Sequence, residues 1–335
     1  SNSGGRPAPA RREADLLRAL PTLGRRDPGD HAEAMRLLRR SLVTGRSFEV
    51  RARAVLALGE LGDPAGVPDL AAVREKSDDP VLRFLAAREL GTLGESRSPG
   101  GAAALEALRV GLQDQDPRVR ETAAHGLGAR RDQASEALLI AAAKDEPWPF
   151  ARRAQIEALS RTCGPPAREL LMRAMERDVD EVRRAALVGV VRCKDARAAT
   201  TLLSTLKARR ASATLRELAG ALLGELGDRA VADALADALA ALVNEAEADL
   251  AIEGVVVAAL RSLGALGGPA AAGAAARLAT DVRHPYRALA VDVLGDICDP
   301  GAGARALAAV RAGTDAALAT AAQTSERRCH ARPAP

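Results

Sequence analysis

A single sequence motif returns along this chain about every 32 residues. Its fullest copy, VRARAVLALGELGDP, begins at Val50, and an apolar anchor residue occupies the same place in nine copies: Leu20, Leu58, Leu90, Leu127, Leu159, Val190, Leu223, Leu263 and Leu294. A period of this length predicts an array of stacked helical hairpins, because one hairpin cannot bury its apolar face alone.

Each copy of the motif predicts one amphipathic helix. In the copy at 50–64, the apolar positions 50, 54, 55, 58 and 61 form one buried stripe at helical spacing. Leucine-rich segments such as 66–76, 103–112 and 167–177 lie between the copies and predict the second helix of each hairpin. Alternating β-branched segments are absent and aromatic residues make up only 1% of the chain, so we expect an all-α fold.

The predicted helices have recognisable start and stop signals. Asp-Pro pairs occur at 27–28, 63–64, 79–80, 116–117 and 299–300, where aspartate caps a helix and proline fits its first position. Glycine ends helices in a left-handed conformation, and we expect this at Gly62, Gly94, Gly227 and Gly267.

An arginine recurs seven positions before the anchor in seven of the nine copies: Arg51, Arg83, Arg120, Arg152, Arg183, Arg216 and Arg287. The planar guanidinium group can bond an acid or carbonyl of a neighbouring repeat, which predicts a structural role for all seven. The turn aspartates Asp79, Asp116 and Asp180 are the candidate acids.

The motif V-R-x-x-A-x-x-x-L-G-x-L-G-D-P resembles the HEAT-repeat family, in the short bacterial form also found in phycobilisome-lyase-like proteins. The resemblance covers residues 11–312 and implies a right-handed α-solenoid superhelix of about 8–9 repeats. It also implies that the arginine-bearing helix lines the concave surface and that the chain begins with half a repeat at 11–24. Residues 1–10 are interpreted as a linker or cloning scar, and 313–335 as a helix end and tail.

The sequence contains no recognisable catalytic constellation. His31, His125, His284 and His330 lie far apart, and no phosphate-binding glycine loop or nucleophile elbow is present. We therefore predict a non-catalytic protein-binding scaffold that is a monomer and that needs no cofactor or metal. The alternatives are a lyase- or glycosylase-like HEAT enzyme or enzyme subunit, and a nucleic-acid binder.

Charged residues suggest where a partner binds. Residues one, five and nine positions after each repeat arginine should project from the arginine-bearing helices, and in two consecutive hairpins these rows contain Glu157 and the arginines Arg153, Arg161, Arg184 and Arg192. This patch predicts an acidic partner segment, although a solvated surface with incidental charge also fits. Acids elsewhere in the rows, such as Glu121 and Glu217, argue against a continuous nucleic-acid stripe.

Cysteines and a lone tryptophan leave further alternatives open. Cys163 and Cys193, and Cys298 and Cys329, are about one repeat apart, so each pair can be a disulfide or two free thiols. Disulfides would favour an exported or lipid-anchored protein over a cytoplasmic one. Trp148 is either a turn residue packed on the next hairpin or a binding anchor. No transmembrane segment is predicted.

Overall fold

The computed structural model describes residues 9–93 and 99–331, and regular structure in these ranges is helical, with no β-strand. Nineteen α-helices are described: α1 (Pro9–Gly24), α2 (Pro28–Thr44), α3 (Phe48–Leu61), α4 (Val67–Lys76), α5 (Pro80–Thr92), α6 (Pro99–Gly111), α7 (Pro117–Ala129), α8 (Glu136–Asp145), α9 (Pro149–Thr162), α10 (Pro165–Arg177), α11 (Asp180–Arg192), α12 (Ala198–Lys207), α13 (Ala213–Leu226), α14 (Ala232–Ala248), α15 (Glu253–Leu266), α16 (Pro269–Thr280), α17 (Arg287–Ile297), α18 (Ala302–Arg311) and α19 (Ala316–Ala331). The predicted all-α solenoid class is confirmed.

Most of the described helix ends follow the predicted turn chemistry. Gly267 is an exception, because its ψ of −165° lies outside the left-handed helical region. Asp79 and Asp116 accept hydrogen bonds from backbone amides two residues later, at 2.8 Å in both cases, and each precedes a proline at the first helical position. Gly62 and Gly227 end their helices in the left-handed conformation, with φ of 77° and 72°. Gly94 lies outside the described residues.

The chain forms two compact units, with the boundary between Leu170 and Leu171 inside α10. In each unit, successive odd-numbered helices pack side by side, which makes one layer. Even-numbered helices pack beside them, for example α4 against α6 and α16 against α18. The helix α1 packs on α3 and α2, and the predicted half-repeat at 11–24 stays a prediction.

The apolar anchors form the core of each unit. Every anchor from Leu58 to Leu294 is at most 1% exposed, whereas Leu20 in the terminal helix is only half-buried and Leu17 is buried instead.

Small residues let neighbouring odd helices approach closely. A Cβ atom on Gly126 of α7 would lie 3.2 Å from Cα of Gly91 in α5, so this contact requires glycine.

The chain termini depart in part from the predicted boundaries. Residues 1–8 of the predicted linker lie outside the described residues, while positions 9 and 10 belong to α1. The region 313–335, interpreted as a helix end and tail, contains α19, which packs on α17 and α18 and extends to Ala331. None of the described helices is both long and apolar enough to span a lipid bilayer.

One predicted disulfide is present within the second unit. Cys298, at the end of α17, is bonded to Cys329 in α19, with their Cα atoms 5.1 Å apart. Cys298 adopts a left-handed conformation with φ of 54°, at the position that Gly62 occupies in the first full copy. Cys163 and Cys193 belong to different units, and their pairing stays a prediction.

Candidate protein-binding surface

The three predicted rows lie at the surface of the odd-numbered helices. We call the surface built from positions one, five and nine after each repeat arginine the odd-helix face. Apart from Ala52, every residue of these rows is exposed or half-buried. The reason is that the apolar stripe of each helix faces the core, so the opposite side faces solvent. Each unit therefore presents an odd-helix face to solvent.

In the first unit, α7 and α9 bring four charged or titratable side chains together. Arg153 lies 3.7 Å from the Glu121 carboxylate and 3.5 Å from that of Glu157. His125 lies 3.8 Å and 3.9 Å from the same two carboxylates. This α7–α9 cluster of Glu121, His125, Arg153 and Glu157 offsets the charge of Arg153, a neutralisation that the separate helical rows did not predict.

The other predicted arginine of the first unit has a different environment. Arg161 is exposed at the end of α9, and its Cδ lies 3.5 Å from the position of a Cβ on Gly128. It forms no ion pair with the described residues. Arg161, rather than Arg153, therefore carries the uncompensated positive charge on this part of the odd-helix face.

In the second unit, α11 presents Arg184 and Arg192 on either side of Val188, and all three residues are exposed. Eight residues correspond to about two helical turns, so the two arginines project from the same side of α11. Arg184 forms no ion pair with a described residue. The predicted grouping of these arginines with Arg153 and Arg161 stays a prediction, because the two pairs belong to different units.

A groove that was not predicted from the sequence lies in the second unit, between α13 and α15. Its volume is about 440 Å³, its floor contains Ala221, Gly224 and Ala265, and its rim carries Glu225 and Arg261. The sequence does show small residues at the row positions of the two helices. Whether they line up to form a groove depends on how the two helices pack. The groove gives this odd-helix face a shallow, mixed-charge surface.

A hydroxyl group holds the two helices of that groove together. Ser262 donates a hydrogen bond to the Gly220 carbonyl at 2.5 Å and accepts one from the Gly224 amide at 3.1 Å. A Cβ on Gly224 would lie 2.8 Å from the serine oxygen, so the close approach needs glycine there. The groove is consequently built into the packing of α13 on α15.

Several repeat arginines join consecutive hairpins behind the odd-helix face. Arg83 binds the Asp114 carboxylate through Nε at 2.9 Å and Nη2 at 3.0 Å, and it donates to the carbonyls of Ser77 and Asp78. The hydrogen bond to Asp114 raises the pKa of Arg83, against the effect of burial. The acid is Asp114 rather than the predicted Asp116, which caps α7 instead.

Arg120 repeats this arrangement one hairpin later. Its Nε and Nη2 bond the two oxygens of Glu146, both at 2.7 Å. Burial raises the pKa of Glu146. Hydrogen bonds from Arg120 and the Trp148 amide lower the pKa by more than burial raises it, so the pKa lies below its ordinary value. Arg216 in the second unit binds Glu245 in the same bidentate way at 2.7 and 2.8 Å.

Two further repeat arginines, Arg183 and Arg287, bond within their own hairpins. Arg183 donates to the Met175 carbonyl at 3.1 Å and to the predicted Asp180 at 3.3 Å, within its own hairpin. Arg287 donates to the Ala279 carbonyl at 2.8 Å. Asp79, the third predicted acid, caps α5.

The last two repeat arginines, Arg152 and Arg51, differ in whether they interact with other described residues. Arg152 has interactions of its own, although its Nε is buried without a hydrogen bond. The guanidinium group of Arg51 makes no hydrogen bond or ion pair with any described residue, and its Nε is buried.

Trp148 lies at the turn before α9 and is 51% exposed. Its ring centroid is 6.0 Å from that of Phe150, and it borders a cavity of about 550 Å³ between α6 and α8. The same cavity is lined by Arg120 and Glu146. Half-exposed aromatic side chains beside a cavity are typical anchors in protein interfaces, and the predicted role of Trp148 stays a prediction.

The described ranges contain no cluster of metal-binding side chains. In residues 9–93 and 99–331, no three or more histidine, cysteine, aspartate or glutamate side chains are placed together to hold a metal ion. His31 instead pairs with Asp63, at 2.6 Å from Nε2 to the carboxylate.

Comparisons with known sequences and structures agree with this architecture. The family model for HEAT repeats matches residues 14–91, 35–110, 68–160 and 105–192. No curated protein matches the sequence. An engineered protein of solved structure is 16% identical, with a TM-score of 0.51, and the match covers 98% of this chain and 97% of that one.

Two natural proteins of solved structure are also similar. Yeast importin-beta is 13% identical with a TM-score of 0.60, over 98% of this chain and 52% of the importin. The CpcE–CpcF complex of phycocyanin lyase from Nostoc is 24% identical with a TM-score of 0.43, over 69% of this chain and 86% of that chain. At these identities the likeness concerns the fold alone.

Proposed function

This chain belongs to the HEAT-repeat family, and we propose that it is a non-catalytic scaffold that binds a protein partner through its odd-helix face. The observation that carries the proposal is an uncompensated cation beside small or apolar neighbours on the odd-helix face of each unit, Arg161 in the first unit and Arg184 in the second. Such a surface attracts an acidic segment and leaves room for its backbone.

The α7–α9 cluster supports a protein partner over a nucleic acid. Glu121 and Glu157 flank Arg153 within 4 Å, so a phosphate backbone following this face would meet two carboxylates. A protein segment carries both signs of charge and can match such an alternation. Sequence-independent nucleic-acid binding instead needs a continuous basic stripe.

The groove between α13 and α15 supports the same proposal in the second unit. Its apolar floor and its mixed rim of Glu225 and Arg261 have the composition of a protein-binding surface. Because the helices are fixed by the Ser262 hydrogen bonds, the groove exists before a partner arrives, which lowers the entropic cost of binding.

Charge reversal on the odd-helix face tests the proposal. A photocrosslinking residue at position 188 identifies a partner, and the affinity of that partner is then measured for wild type and for Arg161→Glu/Arg184→Glu. We expect the double variant to weaken binding by about 1–3 kcal/mol and to reduce its salt dependence. Arg305→Glu, on an exposed position of the even helix α18, is the matched control and should bind like wild type.

Two results would contradict the proposal. Unchanged affinity in the double variant, with an unchanged melting temperature, would move the binding surface off the odd-helix face. A gel-shift with duplex DNA that is lost in the double variant and unaffected in Arg305→Glu would favour the nucleic-acid alternative.

A further inference from the structure

A pocket of about 320 Å³ lies between the C-terminal ends of α2 and α4 in the first unit. Leu42, Val73 and Leu82 contribute apolar walls, and Arg39, Arg51 and Lys76 contribute cations. We call this the α2–α4 pocket. It lies on the even-helix side of the hairpins and is separate from the odd-helix face.

Among the described residues, one acid lines the α2–α4 pocket, and it is already paired. Asp69 accepts a hydrogen bond from Nε of Arg39 at 2.9 Å. Lys76 is exposed and forms no ion pair with a described residue. Arg51 is half-buried, and it also forms no ion pair with a described residue. The pocket therefore holds two cations whose charge nothing in the described chain compensates.

The unpaired state of Arg51 is unusual because the chain shows what this position normally binds. Arg83 and Arg120 occupy the same place in the next two hairpins, and each holds a carboxylate in a bidentate pair, Asp114 and Glu146 respectively. Both acids precede the N-cap of the following odd helix by two residues. In the hairpin that follows Arg51, this position is Ser77.

Ser77 performs one of the two tasks that these acids perform. Its hydroxyl oxygen accepts a hydrogen bond from the Asp79 amide at 3.3 Å, as Asp114 does from the Asp116 amide at 2.9 Å. The turn is thus preserved, but the serine side chain is short and carries no charge. The carboxylate that would neutralise Arg51 is the missing part.

We propose that the α2–α4 pocket binds a carboxylate side chain of a protein segment, with Arg51 as the direct ligand and Lys76 as a second cation. The bound aspartate or glutamate takes the place that Asp114 and Glu146 hold within the chain. The apolar walls accommodate the aliphatic neighbours of that acidic residue, so the favoured segment is a glutamate or aspartate between apolar residues.

The probes for the test are two end-blocked tripeptides, acetyl-Leu-Glu-Leu-amide and its glutamine counterpart, together with inorganic phosphate. The readout is the NMR signal of the Arg51 Nε–H group in the full chain. We expect the glutamate peptide to shift this signal in a saturable way and the glutamine peptide to leave it unchanged. An equal response to inorganic phosphate would overturn the assignment of a protein carboxylate.

Two substitutions at one position make the test specific. Ser77→Asp supplies the carboxylate within the chain. It should therefore raise the midpoint of thermal unfolding and lower the affinity for the glutamate peptide by about tenfold or more. Ser77→Asn keeps the turn hydrogen bond and the size without the charge, and it should bind like wild type. Circular dichroism shows whether both variants are folded.

The outcomes separate this proposal from the scaffold function. Peptide binding that is equal in Ser77→Asp and Ser77→Asn would place the peptide elsewhere and overturn the role of Arg51. No response of the Arg51 signal to the glutamate peptide would do the same. The odd-helix variants Arg161→Glu and Arg184→Glu leave the α2–α4 pocket intact. The affinity of these variants for a partner therefore neither supports nor contradicts peptide binding in the pocket.

Discussion

Replacing Glu146 with glutamine should destabilise the first unit by about 3 kcal/mol, because it breaks a buried ion pair that joins two hairpins. The Glu146 side chain is 1% exposed and that of Arg120 is 15% exposed. Glutamine has nearly the same shape, so the change tests the charge and the hydrogen bonds rather than the packing.

The magnitude follows from the contacts that are lost. Glu146 accepts two bonds from Arg120 at 2.7 Å, one from the Trp148 amide at 3.2 Å and one from Gln155 at 3.1 Å. Removing one partner of a buried pair costs about 3–5 kcal/mol, since the other charge stays buried without compensation. The lower end applies here because Arg120 keeps its bonds to two backbone carbonyls.

The same pair predicts a dependence on pH. Hydrogen bonds hold the folded-state pKa of Glu146 below the ordinary value of 4.5 despite its burial. A depressed carboxyl pKa stabilises the fold fully above the unfolded-state pKa, and the stabilisation is lost as the pH falls through the folded-state pKa. The difference in stability between wild type and Glu146→Gln should therefore shrink as the pH falls below about 4.5.

Urea denaturation followed by circular dichroism measures the change, and hydrogen exchange in α7 and α9 locates it. Glu33→Gln is the control, because the Glu33–Arg36 pair lies on an exposed helix surface and should leave the midpoint unchanged. A loss below about 1 kcal/mol for Glu146→Gln, or an equal loss for Glu33→Gln, would refute the reasoning.

Three further predictions concern other contacts. Gly126→Val should cost about 1–3 kcal/mol of stability in urea denaturation, because a side chain there overpacks the contact between α7 and α5. The pKa of His31 should lie above 6.5 in an NMR titration, chiefly because of its hydrogen bond to Asp63, and Asp63→Asn should return it towards 6.5; this stabilisation is complete below 6.5 and is lost as the pH rises through the raised pKa. Cys329→Ser should lower stability by about 3 kcal/mol, since its bond to Cys298 closes a segment of 31 residues, and reducing agent should have no further effect on α19 in the variant.

Much of the fold could be predicted from the repeat because its signals are local. The spacing of apolar anchors places the buried stripe, and the Asp-Pro pairs place the helix starts, as Asp79 and Asp116 show. The structural partners of the arginines were harder to predict. The turn that follows Arg83 contains two aspartates, Asp114 and Asp116, and only the approach of the next hairpin selects Asp114.

The candidate surface could also be predicted only in part from the sequence. The rows of exposed residues follow from helical periodicity, which needs no knowledge of neighbouring helices. The charge that each row presents depends on its neighbours, because Glu121 on α7 and Glu157 on α9 both reach Arg153. A sum over sequence positions could not show that this arginine is compensated while Arg161 is not.

The sequence by itself determined that this protein is an array of helical hairpins, which faces of the helices are buried and where each helix begins. These features repeat at short range, so the physical forces that produce them act within one helix or one turn. Tertiary packing decided which acid meets each repeat arginine, how closely α13 approaches α15 and that Arg51 is left facing a pocket without a carboxylate. Those outcomes depend on distances between residues about 30 positions apart, and only the stacking of one hairpin on the next sets them.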